Sequence, residues 1–81
     1  MDTQTKNKII SIIEKAASEK VTDENTDLVE DLGMDVLDIQ EVIMDLETEF
    51  NIDEIPIETA ESWRTVADVI KYVEGVCNRQ S

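Results

Sequence analysis

DLGMDVLDIQEVIMDLETEF, residues 31–50, decides the fold of this chain. Ile39, Val42, Ile43, Leu46 and Phe50 return at three- and four-residue intervals, the stripe of a helix lying on a core. The helix begins behind Asp35, a residue whose carboxylate can accept the free amide hydrogens of a first helical turn. Asp38, three residues on, also suits the positive end of the helix dipole. The spacing carries the helix to about Phe50. Gly33 sits just before it and permits a backbone with positive φ at the entry.

The same reading extends in both directions. Upstream, Ile9, Ile10, Ile13, Ala16 and Ala17 form one apolar stripe on a helix from about Thr3 to Ala17, with Lys6, Lys8 and Lys15 toward water. A polar stretch from Ser18 to Asp35 comes next, in which Val21, Leu28, Val29 and Leu32 are expected to hold the connection onto the core. Downstream, Ile55-Pro56 breaks the chain, and Pro56 presets φ for a short third helix from about Ile57 to Glu61. Thr65, with Asp68 three residues later, is expected to cap a fourth helix. Val66, Val69, Ile70 and Val73 form its stripe, which is expected to end near Gly75. Trp63 reads as a core plug behind the short helix. No alternating run or hairpin turn signals a strand. The expected fold is all-α: three long helices and one short one around an aliphatic core, in a single domain over residues 1–81.

Charge is distributed unevenly. The net charge is -13, and between Glu19 and Glu61 sixteen carboxylates face a single cation, Lys20. Such a field repels phosphate backbones and anionic membranes and attracts basic protein surfaces. Mutual repulsion is expected to raise the native carboxylate pKa values, so that stability rises toward pH 5.

The second helix carries more apolar residues than its core stripe needs. Leu37 and Met44 lie on a different side, with Glu41 between them and Asp38, Asp45, Glu47 and Thr48 at the border. Two apolar anchors a helical repeat apart inside an acidic frame fit a surface for partner docking. The competing reading bends Leu37 and Met44 into the edge of the core.

The run Asp31-Leu32-Gly33-Met34-Asp35-Val36-Leu37-Asp38 resembles the signature of acyl carrier proteins, Asp-Leu-Gly-x-Asp-Ser-Leu-Asp at the start of the second helix. The resemblance continues through Glu41-Val42-Ile43-Met44, Leu46-Glu47, Glu49-Phe50 and Glu54-Ile55-Pro56, then Thr65-Val66, Ile70 and Tyr72-Val73. It covers nearly the whole chain, with one additional residue between Phe50 and Ile55. It implies a four-helix carrier domain of fatty-acid or polyketide-type biosynthesis, whose serine is esterified by a 4'-phosphopantetheine arm. It also implies that basic patches of acyl-chain synthase or transferase enzymes dock on the second helix, at positions matching Asp35, Leu37, Asp38, Glu41, Met44 and Glu47. Val36 occupies the position of the serine. Valine has no hydroxyl, so no phosphodiester forms there, and no cofactor is expected on the chain as it stands. Ser11, Ser18, Ser62 and Ser81 lie in no matching context.

Other chemistries are weaker. Histidine is absent, which removes the commonest general base and neutral metal ligand. The acids lie on polar faces where nothing raises a pKa or excludes water, so no catalytic residue and no enzyme activity is expected. Asp23, Asn25 and Asp27 have the spacing of a calcium loop, but Leu28 and Met34 stand where that loop needs glycine and glutamate, and no specific metal site is expected. One each of Phe, Trp and Tyr supplies no base-stacking platform, so nucleic acid is not an expected partner. Cys77 is the only cysteine, and an internal disulfide is excluded. No apolar run approaches the about 20 residues of a membrane span, and Met1-Asp2-Thr3-Gln4 does not read as a secretory signal. A cytoplasmic monomer is expected.

Overall fold

A computed structural model describes residues 3–80; Met1, Asp2 and Ser81, which enter the sequence reading at the N-terminus and among the serines, lie outside the described residues. Four helices succeed one another: α1 (Thr3–Ala17), α2 (Val36–Phe50), α3 (Ile57–Glu61) and α4 (Val66–Gln80). Among the described residues no strand forms, and the one sheet-like contact is an isolated antiparallel bridge between Asp27 and Thr65. The fold is the expected all-α four-helix arrangement, measuring 34 × 25 × 18 Å along its principal axes. No helix is long and apolar enough to cross a membrane among the described residues.

The core is the intersection of the predicted stripes. Ile9 and Ile13 of α1, Val42, Ile43 and Leu46 of α2, and Val66, Val69, Ile70 and Val73 of α4 are buried together. Ile10, Ala16, Ala17, Ile39 and Phe50 lie half-buried at their margins. α1 packs on both α2 and α4, while the short α3 rests on α2. Trp63 is buried as expected, its ring 5.6 Å from that of Tyr72 and tilted by 60°.

Three local expectations are corrected. Val29 is not an anchor of the first connection: it is 59% exposed, and Met34 is buried instead, beside Leu28 and Leu32. The cause is a tight turn. Asp27 Oδ1 accepts the N–H groups of Val29 (2.9 Å) and Glu30 (2.8 Å), and Gly33 donates to the Val29 carbonyl at 2.9 Å with φ +65°. On such a turn residues four apart share a side, so Leu28 and Leu32 point inward and Val29 outward.

α4 does not stop near Gly75; it runs on to Gln80. Val76 and Cys77, three and four residues beyond Val73, are half-buried against the core, and this packing outweighs the about 1 kcal/mol penalty of a glycine within a helix. The α4 cap also differs in which residue does the accepting. The Asp68 N–H donates to the Thr65 carbonyl at 3.1 Å, while Asp68 Oδ2 accepts the N–H groups of Arg64 (2.9 Å) and Thr65 (3.1 Å).

A docking face at the second helix

The start of α2 is built from two aspartates that hold each other's backbone. Asp35 Oδ1 accepts the Asp38 N–H at 3.0 Å, and Asp38 Oδ2 accepts the Asp35 N–H at 3.1 Å, a complete capping box. Val36 is the first helical residue after the cap and is 62% exposed. Its side chain is two methyl groups on Cβ and offers no oxygen nucleophile.

Leu37 and Met44 are 72% and 60% exposed, which excludes the core-edge alternative. Leu37, Glu41, Met44 and Thr48 succeed one another at four- and three-residue steps and share one side of α2. Asp38 and Asp45, both half-exposed, stand along its border. Three ion pairs form among the described residues: Lys6 with Glu24, Lys8 with Glu49 at 3.5 Å, and Arg64 with Asp27 at 3.6 Å. None of them reaches Asp35, Asp38, Glu41 or Asp45, so the field of these carboxylates is available to a partner.

Glu47 is placed differently from the other expected docking residues. It is half-buried, and its Oε2 accepts the Ile55 N–H at 2.7 Å, which ties the connection between α2 and α3 back onto α2. Asn51, at φ +51°, ends α2 in the left-handed region and lets that connection turn, with Ile52 and Ile55 buried behind it.

The acidic connection is occupied with its own backbone. Asp23 Oδ1 accepts the Asn25 N–H at 2.8 Å, Asp31 Oδ2 accepts the Asp27 N–H at 2.8 Å, and Asp27 serves the turn described above. Among the described residues no group of three metal-ligating side chains converges. The N–H groups of Glu30 and Val29, joined by the Arg64 guanidinium, hold the Asp27 carboxyl below the usual carboxylate range. The N–H groups of Arg64 and Thr65 do the same for Asp68. For these two groups the expected upward shift is reversed, because a carboxylate accepting amide hydrogens is favoured in its charged form.

One feature at the α2 start was not read from the sequence. A cleft of about 400 Å³ opens beside Val36, lined by Val29, Met34, Ile39, Ile57, Ala60 and Trp63 with Asp35 and Glu61 also in its wall. Its walls come from four separate segments, so no local periodicity announces it.

The family model for a phosphopantetheine attachment site matches residues 7–73. The chain belongs to the acyl carrier protein family. It is 55% identical over 51 residues to an acyl carrier protein of Wolinella succinogenes, covering 63% of this chain and 66% of that protein. It is 51% identical over 53 residues to an acyl carrier protein of a Sulfurovum species, covering 65% and 69%. The matched segments thus span about two thirds of these relatives' length. Acyl carrier proteins are carriers and not enzymes.

Proposed function

We propose that this chain acts as one acyl-carrier-type domain of fatty-acid or polyketide-type biosynthesis, cytoplasmic and monomeric, which takes no 4'-phosphopantetheine arm at position 36. It works by docking its acidic second helix on basic surfaces of acyl-chain synthase or transferase enzymes. One observation carries this reading: Val36 stands exposed as the first residue of α2, behind an intact Asp35–Asp38 box, at the position where the resemblance places the attachment serine. The side chains that the resemblance assigns to partner recognition, Leu37, Met44, Asp38 and Glu41, remain on the surface around it. The missing nucleophile also favours a second reading, a regulator that carries nothing and occupies basic partner surfaces through the same helix.

Intact-mass measurement after incubation with coenzyme A and a broad-specificity phosphopantetheinyl transferase tests the proposal. The wild-type mass stays unchanged, and Val36→Ser gains one phosphopantetheine. An adduct on the wild-type chain overturns the reading. A folded Val36→Ser variant that no transferase modifies favours the regulator.

A further inference from the structure

Five large apolar side chains are exposed among the described residues: Val29, Val36, Leu37, Met44 and Ile57. Three of them, Val29, Val36 and Ile57, come from three different segments and ring the mouth of the cleft beside the α2 start. Buried Met34, Ala60 and Trp63 form its deeper wall. Scattered exposed apolar residues mean little, but convergence on one concavity is the pattern of a binding site. At about 400 Å³ the cleft lies toward the small end of ligand sites, which run from roughly 300 to 1,000 Å³.

The charges around the mouth select the occupant. Asp35 and Glu61 lie in the wall, and Glu30 and Glu58, exposed, adjoin Val29 and Ile57 in the chain. Arg64, next to Trp63, is turned to Asp27. A free fatty carboxylate entering here meets like charge, whereas an apolar group flanked by lysine or arginine meets opposite charge. We propose that the cleft receives one apolar side chain of a basic partner, anchoring that partner while the acidic surround steers it. The proposal rests on the docking reading above and adds the site of the anchor. An apolar residue seated in a dry pocket within a charged rim is where interface energy concentrates.

Two synthetic 15-residue helical peptides of lysine and alanine, one with a central phenylalanine and one without, test the assignment. Binding is measured by calorimetry at low salt and by the emission of Trp63, the only tryptophan, which lines the cleft. The phenylalanine peptide binds wild type about tenfold more tightly than its twin and shifts Trp63 emission. In the double variant Val29→Ser/Ile57→Ser, at two exposed positions, that tenfold preference and the emission shift disappear, while the affinity for the alanine twin is retained. Equal, salt-sensitive affinities of the two peptides for wild type overturn the anchor and leave basic docking standing. Binding of neither peptide overturns both. A phenylalanine preference that survives in the double variant places the anchor elsewhere and overturns the cleft.

Discussion

α2 and α4 begin with the same device, an aspartate at the third helical position whose carboxylate reaches back to backbone N–H groups before the helix. Their surroundings differ. At α4 the first helical residue, Val66, is fully buried, and the turn is stitched to the first connection: Leu28 donates to the Arg64 carbonyl at 2.9 Å, Val66 to Thr26 at 3.1 Å and Ala67 to Glu24 at 2.9 Å. At α2 the first two residues, Val36 and Leu37, face solvent. A capped helix start is therefore neither structural nor functional by itself. The apolar side chains just after the cap decide: where they are buried the fold has used the helix end, and where they are left outside it is available to a partner.

Making one substitution at both starts gives the largest contrast. Val66→Ser should cost roughly 2–4 kcal/mol, because it removes fully buried methyl groups and leaves a hydroxyl to be satisfied in the core. Val36→Ser should shift stability by less than about 1 kcal/mol at its exposed position. Denaturant unfolding of the two variants measures both, and equal losses would break the comparison.

Removing the capping carboxylates comes next. Asp68→Ala should destabilise by about 1–2 kcal/mol, since two N–H groups at a turn stitched to the connection lose their acceptor. Asp38→Ala releases one N–H at an exposed start and should cost less, about 0.5–1 kcal/mol. Thermal melts at neutral pH rank the two.

Acid unfolding probes the turn at Asp27 and the start of α4. Asp27 and Asp68 have native pKa values lowered from 3.8. A lowered native value means that the stabilisation is fully present above the unfolded value, near 4, and is lost as pH falls through the native values. An Asp27→Asn/Asp68→Asn variant should therefore show a shallower loss of stability in acid than wild type.

Charge reversal at Glu41 should have the smallest effect on the fold, within about 0.5 kcal/mol, while slowing association with a basic partner and weakening its salt dependence. Stopped-flow association at two ionic strengths checks this. A large loss of stability in the Glu41 variant would move that residue from the docking face into the fold.

Legibility in the sequence tracks the range of the interactions. The bounds of α1, α2 and α3 and the Asp35 cap are written within a few residues, and pattern alone reaches them; the return bond from Asp38 to the Asp35 N–H came only with the structure. The outward turn of Val29 depends on Asp27 recruiting two amides, a rearrangement that hydrophobic spacing does not register. The role of Glu47 depends on Ile55, eight residues away. The continuation of α4 past Gly75 depends on packing against the core, which outweighs local preference. The cleft was least legible of all, since Val29, Val36, Ile57 and Trp63 are neighbours only once α2, α3 and the first connection have been placed.

The reciprocal bonds between Asp35 and Asp38 also bear on how quickly and how tightly this surface is recognised. Immobilising a flexible side chain at an interface typically costs about 0.5–1.5 kcal/mol in lost rotational freedom. Both carboxylates lose much of that freedom when α2 forms, each fixed by an amide of the other residue. A partner meeting the α2 start finds its charges already oriented, and the entropy of arranging them belongs to folding and not to binding.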